Sequence, residues 1–420
     1  MAPLSCGLDF GTSNSTAGLP AAGGGRLVPL EGEATTLPSA IFFDFSTREV
    51  LFGREAIDAY IGHGEGRLMR AVKSVLATDL IDQDTQLDDR RISFQEVIAL
   101  LLRRIKERVD LAAGSPVDAV VHGRPVHFVD DDPPADARAE AVLESIARSV
   151  GFREVSFQFE PIAAALHYEA QIDREELALI ADIGGGTSDF SIVRIGPERA
   201  RRADRKDDIL ANQGIRVGGT DLDRLLSLET VMPLLGYRSA MQRRDLTAPG
   251  SYFRDLATWS KINFLYARRV IAEIVQVRRE ARHPELFDRL LTVVENNLGH
   301  ALALEVERGK VALSEAEATT IDLSAVEPAL GARIDRADLA AAIVEPVERV
   351  AGCVRVCLDE AGLRPGAIDT VFLTGGSTLV PAIREGILAT VPEARAVDGD
   401  RFGSVGLGLA IEAGRRYGQA

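Results

Sequence analysis

Cysteine is scarce in this chain: Cys6, Cys353 and Cys357 are all that 420 residues contain. So low and odd a number provides no disulfide framework and fits a reducing compartment. Cys353 and Cys357 are four residues apart and would share a face of one helix, as core packing or as a thiol pair; no histidine or further cysteine is close in sequence. The six histidines are scattered without metal-ligand spacing, which argues against a zinc site. Positive charge is in deficit, with 48 Lys and Arg against 63 Asp and Glu and a net charge of −15. That balance argues against non-specific nucleic-acid binding and against docking on an anionic membrane. No run of about eighteen apolar residues is present, so no transmembrane helix is expected. The opening MAPLSCGLDF lacks a basic region followed by an apolar signal core, and a cytoplasmic location is expected. No Gly-x-x-x-x-Gly-Lys-Ser/Thr occurs, which rejects a Walker-type phosphate loop. Hydrophobic content of 46 % and charged content of 26 % are those of a globular protein with a large core, and the length allows two to four domain-sized units.

What is present centres on 177–193, LALIADIGGGTSDFSIV. An apolar run ends at Asp182, three glycines (Gly184, Gly185, Gly186) and Thr187 follow, and a second alternating run begins near Asp189. The pattern reads as strand, tight turn, strand. Consecutive glycines remove the Cβ atoms that keep a ligand off the backbone, and successive exposed N–H groups then make a concave anion site. Carboxylates beside a phosphate call for a cation between them, usually Mg²⁺. The segment 4–17, LSCGLDFGTSNSTA, has the same layout, with Asp9, Gly11, Thr12 and Ser13 in the corresponding places. Two copies of one phosphate-binding hairpin imply a duplicated chain with nucleotide held between similar lobes.

Further along, Phe94, Val97, Ile98, Leu101, Leu102, Ile105 and Val109 form one apolar stripe, predicting a helix over 94–111. Residues 56–77, with Lys73, read as helix and turn, and 79–91 as an acidic loop. A strand at 155–159 leads to Glu160 and Pro161; Pro is accepted in a first helical turn. Glu160 thus stands at a strand-to-helix junction, either as a catalytic carboxylate or as an acidic group favoured by the helix N-terminus. NQGIRVGGTDLD (212–223) reads as a glycine turn entering a helix, another setting for phosphate. A helix over 303–314 puts Glu307, Lys310 and Ser314 on one face, which fits a surface ion pair with a cap as well as a ligand contact. Residues 225–304 read as mostly helical, 336–360 as one long helix offset near Pro346, and 370–374 as a buried strand before Gly375, Gly376 and Ser377.

Taken in order, GLDFGTSNS, FEPIAAALHY, ADIGGGTSDFS, VGGTDLD and FLTGGSTLVP resemble the nucleotide-binding domain of Hsp70 chaperones, within the actin/hexokinase-like superfamily. HGRPV and FQFEPIAAALHYEA resemble more particularly the short YegD-type Hsp70-like proteins without a peptide-binding domain. The resemblance implies an α/β, two-lobed actin-like ATPase fold of duplicated ribonuclease H-like domains with inserted subdomains. Lobe I would span 1–172, with an insertion at about 35–115. Lobe II would span 173–420, with a helical insertion at about 218–345 and a C-terminal helix packing back at the lobe interface.

The implied ligands are ATP or ADP and Mg²⁺. By resemblance, Asp9 and Asp182 would hold the metal, mainly through water. Gly11, Thr12, Ser13 and Gly184–Thr187 would contact phosphate. Lys73 would reach the γ-phosphate, while Glu160 and Asp189 would position or activate water. Gly218, Gly219, Gly375 and Gly376 would line the nucleotide. Glu307, Lys310, Ser314 and Ser377 would meet ribose and adenine, with Asp400 near the adenosine end. The implied activity is that of a weak ATPase with a chaperone-like role.

Three departures stand out. Val311 and Leu379 occupy places where the family carries arginines that stack on adenine. The stretch from Asp223 to Glu307 is longer than its counterpart and is expected to be a helical insertion open to a protein partner or client. No interdomain linker and peptide-binding domain are expected after Ala420. A small-molecule kinase, an actin-like filament protein and a nucleotide-gated scaffold with little turnover are the alternatives.

Overall fold

The computed structural model describes residues 4–22, 24–62, 64–88, 90–129, 132–202, 204–243, 246–399 and 403–418. They divide into two compact units: Met1–Arg216 with Gly352–Thr378 and Ile387–Ala420, and Val217–Ala351 with Leu379–Gly386.

The first unit contains two sheets built to one plan. In the first, the strands run Glu154–Phe159, Ala119–Arg124, Ser5–Phe10, Asn14–Ala21, Gly24–Leu27 across the sheet, with Thr36–Pro38 also pairing on Asn14–Ala21. In the second they run Arg395–Asp398, Thr370–Thr374, Glu176–Ile183, Ser188–Ile195, Ile209–Ile215. Each sheet has an antiparallel hairpin, a third antiparallel strand beyond it, and two strands parallel to the first on the other side. Parallel neighbours need a crossover; Pro133–Ser149 supplies it in the first copy, and Pro381–Leu388 holds the same place in chain order in the second. The duplication expected from the two glycine hairpins is thus a duplication of whole sheets, and the chain has the actin-like α/β fold.

Helix Phe94–Ala113 follows the expected stripe: Val97, Ile98, Leu101, Leu102, Ile105 and Val109 are fully buried. Ser93 and Glu96 close its start as a capping box, and Gly114 ends it at φ 74°, a conformation glycine adopts without a Cβ clash. The C-terminal helix Ser404–Tyr417 packs on Glu160–Glu169 and on Ser5–Phe10. The approach is backbone to backbone, since a Cβ on Gly408 would lie 1.8 Å from the Ala163 carbonyl oxygen. This contact seats the helix that begins with Glu160.

Residues 56–77 and 79–91 differ from expectation. Helix Gly53–Ile61 is followed by a strand, Gly66–Arg70, then a 3₁₀ turn, Val72–Ala77. The acidic stretch contains a hairpin, Asp84–Leu87 with Arg90–Ser93. Gly66–Arg70 pairs with Ala40–Asp44, a long-range partner that overrides the helical preference of Leu, Met and Arg.

The second unit is mainly helical: Gly219–Thr230, Ser251–Leu256, Arg268–Glu280, Pro284–Glu295 and Gly299–Ala312 precede a hairpin of Ala318–Asp322 with Gly331–Asp335. Phe253 and Phe287 meet edge to face at 6.4 Å in its core. The expected long helix is two, Arg336–Ala342 and Val344–Glu360, broken at Ile343, so that Pro346 falls in the first turn of the second, where its missing N–H costs nothing. Among the described residues no helix is long and apolar enough to cross a membrane.

Candidate functional site

Most of the candidate residues belong to the first unit, at the turns of the two glycine hairpins. Asp182 and Asp189 are directly opposed across the second hairpin, so both side chains project from one face, and Thr374 flanks Asp182 on the parallel side. Asp9 holds the same place on the first hairpin, opposite Thr16. The two turns meet: a Cβ on Gly185 would lie 2.3 Å from Ser13 Oγ, whereas one on Gly186 would meet nothing within 4 Å. Gly375 adopts φ +82°, and a Cβ there would lie 2.4 Å from the Ile183 oxygen and 2.7 Å from Asp182 Oδ1. Side chains brace both turns. Ser39 Oγ donates to the Gly11 carbonyl (2.7 Å) and its N–H to that of Ser13 (2.8 Å). Ser377 Oγ donates to the Gly184 carbonyl (3.1 Å), and the Gly184 N–H to that of Thr187 (2.9 Å).

Lys73 reaches this cluster from the 3₁₀ turn Val72–Ala77, which starts after Ala71 at φ 56°. A non-glycine residue in the left-handed region is strained by about 1–3 kcal/mol, and here it redirects the chain just before the lysine. Lys73 Nζ lies 2.7 Å from Glu160 Oε1, with both side chains largely covered. Burial alone would lower the Lys73 pKa, but Glu160, Asp9 and Asp189 outweigh it and hold the ammonium above its ordinary value. Burial pushes Asp9 up to about 8, with Glu160 and Asp182 adding to the rise and Lys73 opposing it. Asp182 rises to about 7 through burial, Asp189 and Glu160, again opposed by Lys73. Four carboxylates thus share one ammonium. An oxygen-rich set with surplus negative charge fits a hard divalent cation. Among the described residues no three His, Cys, Asp or Glu side chains could together hold a metal ion, so such an ion would retain much of its water.

Apart from Asp400, the remaining candidates belong to the second unit. Gly218 precedes and Gly219 opens the helix Gly219–Thr230. Lys310 is buried, 2.8 Å from Asp223 Oδ1 and donating to the Gly219 carbonyl at 3.1 Å. Glu307 is exposed on the same helix. That helix ends at Ala312, so Ser314 stands in the turn after it, where its carbonyl accepts from Arg336; the expected single helical face carries Glu307 and Lys310 only. Val311 is 57 % exposed. Asp400 lies outside the described residues.

Sequence reasoning missed Ser39, which braces the first turn from the bend between Thr36–Pro38 and Ala40–Asp44, and His122, buried where it feels the charge of Lys73. Ser39 belongs to none of the quoted motifs, and His122 opens HGRPV without any local sign of a role; only the tertiary pairing reveals them.

A protein-family model described as Hsp70 protein matches residues 5–227 and 293–419. All five ordered motifs lie within the matched segments. The unmatched stretch, 228–292, belongs to the second unit and includes the helices Ser251–Leu256 and Arg268–Glu280, inside the insertion expected between Asp223 and Glu307.

Proposed function

This chain belongs to the Hsp70 protein family, and on that footing we propose that it is a nucleotide-binding, chaperone-like protein that holds Mg-ATP and hydrolyses it slowly. The meeting of the two hairpin turns, with Asp9, Asp182, Asp189, Glu160 and Lys73 grouped around them, is the observation that carries the reading. In phosphoryl transfer a protein mainly positions groups and balances charge. The turns at residues 11–13 and 184–187 would cradle phosphates through backbone N–H groups other than that of Gly184, which bonds within its own turn, helped by the hydroxyls of Thr12, Ser13 and Thr187. Asp9 and Asp182 would hold Mg²⁺ through water, and the bound ion would supply the positive charge that this carboxylate cluster lacks.

The Lys73–Glu160 ion pair gives the site an exchange. A γ-phosphate would compete with Glu160 for the ammonium. Once Lys73 turns to phosphate, the Glu160 carboxylate is free to orient water or accept its proton, with Asp189 nearby to hold that water. Gly218, Gly219, Gly375, Gly376, Ser377, Glu307, Lys310, Ser314 and Asp400 complete the proposal at the nucleoside end. So do the division into lobes at 172/173, a cytoplasmic setting, and a protein partner or client for the insertion.

A second reading, a nucleotide-gated scaffold with little turnover, draws on Glu160 being held by Lys73 and on Val311 and Leu379 replacing cations that would stack on a base. Calorimetric titration with Mg-ATP and Mg-ADP, followed by phosphate release, separates the two. Binding with slow release supports the ATPase. Binding without release supports the scaffold. No heat at millimolar nucleotide refutes both.

A further inference from the structure

His122 has no exposed surface and lies on the strand Ala119–Arg124. Its Nδ1 is 2.8 Å from the Gly123 carbonyl oxygen; a carbonyl only accepts, so Nδ1 carries the proton. Its Nε2 is buried with no hydrogen-bond partner among the described residues. A buried unsatisfied nitrogen costs on the order of 1–3 kcal/mol, and a core strand would be served more simply by valine or leucine, so the imidazole needs another reason to be there.

Gly123 supplies it. A Cβ at Gly123 would lie 3.3 Å from Glu160 Cγ, 3.6 Å from Glu160 Oε1 and 3.1 Å from Leu409 Cδ1. The bare backbone of Gly123 therefore forms the wall on which the Glu160 side chain rests. By strand register Leu8 faces His122, which puts Gly123 beside Asp9. A glycine permits this close packing but leaves the backbone freer than any other residue would. The ladder pairing of Gly123 with Gln158 holds one side of that backbone, and the Nδ1–H bond from His122 adds to it by fixing the carbonyl of the wall itself.

We propose that His122 is a positioning residue: its neutral imidazole clamps Gly123 and thereby holds Glu160 at the orientation in which it pairs with Lys73. The consequence for turnover rests on the hydrolysis reading above; the consequence for the ion pair does not.

The test compares His122→Asn, whose amide N–H can replace the Nδ1–H, with His122→Leu, which fills the space without a donor. Two measurements are made on each full-length protein. The first is the ¹⁵N resonance of the Lys73 ammonium, seen only while its protons are held in a fixed ion pair. The second is single-turnover hydrolysis at saturating Mg-ATP alongside the Mg-ATP Kd. The Leu variant should lose the Lys73 resonance and turn over about tenfold more slowly, roughly 1.4 kcal/mol in barrier, with Kd within twofold of wild type. The Asn variant should keep the resonance and recover to within threefold. A resonance unchanged in the Leu variant, or equal losses in both variants, would overturn the proposal. A wild type that shows the resonance but releases no phosphate would refute the hydrolysis reading and leave the Lys73 resonance to decide the role of His122.

Discussion

Asp182→Asn should make the protein more stable when neither metal nor nucleotide is present, although it removes a residue central to the site. In the folded chain the Asp182 carboxyl titrates at about 7 rather than at its ordinary 3.8, chiefly through burial and then through Asp189 and Glu160. That displacement corresponds to a ceiling of roughly 4 kcal/mol. Asp182 is only partly covered, and water reaching it reduces the penalty, so about 2 kcal/mol is the working figure. The sign follows from linkage. As pH rises from 3.8 towards 7, the folded chain keeps a proton that the unfolded chain has released, so stability falls through that window and levels off above it. Asparagine carries no such penalty. The advantage of the variant should be near zero at pH 4 and complete above pH 7, where it would raise the thermal midpoint by about 2–4 °C for a chain of this length. The assay is thermal denaturation of both proteins in EDTA across that range, repeated with millimolar Mg²⁺, which should stabilise wild type and leave the variant unmoved. An Asn variant no more stable than wild type at pH 7.5, or an advantage independent of pH, would refute the reasoning.

Two other substitutions probe the frame of the site. Gly408→Ala puts a Cβ where the Ala163 carbonyl lies 1.8 Å away, so two backbones must separate; a loss of about 3 kcal/mol is expected in denaturant unfolding, and an unchanged midpoint would show that the helix has room to shift. Arg205→Gln leaves the buried Glu169 and Asp208 carboxylates without the guanidinium that pairs with both; a loss of about 3 kcal/mol should appear as faster proteolysis near Lys206–Asp208, and protease resistance equal to wild type would contradict it.

Much of the frame was legible because it is written locally. The paired Asp-glycine-Thr/Ser turns at 9–13 and 182–189 state the duplication, and the sheets repeat it strand for strand. Helix Phe94–Ala113 and strand Thr370–Thr374 follow from periodicity and from an unbroken apolar run. What stayed hidden depends on distant partners. Gly66–Arg70 is a strand only because Ala40–Asp44 pairs with it. Ser39 matters because its hydroxyl reaches Gly11. Lys73 and Glu160 are 87 residues apart, and nothing in either neighbourhood announces their ion pair. The offset expected near Pro346 falls at Ile343, because proline is tolerated in the first turn of the helix Val344–Glu360.

The most direct test of the proposed chemistry is single-turnover hydrolysis of Mg-ATP by wild type and by Glu160→Gln, with nucleotide affinity measured in parallel. Wild type should release phosphate, and the Gln variant should bind Mg-ATP as tightly but hydrolyse it about a hundredfold more slowly, the loss expected when a positioned general base is removed. Equal rates in the two proteins would contradict the role given to Glu160.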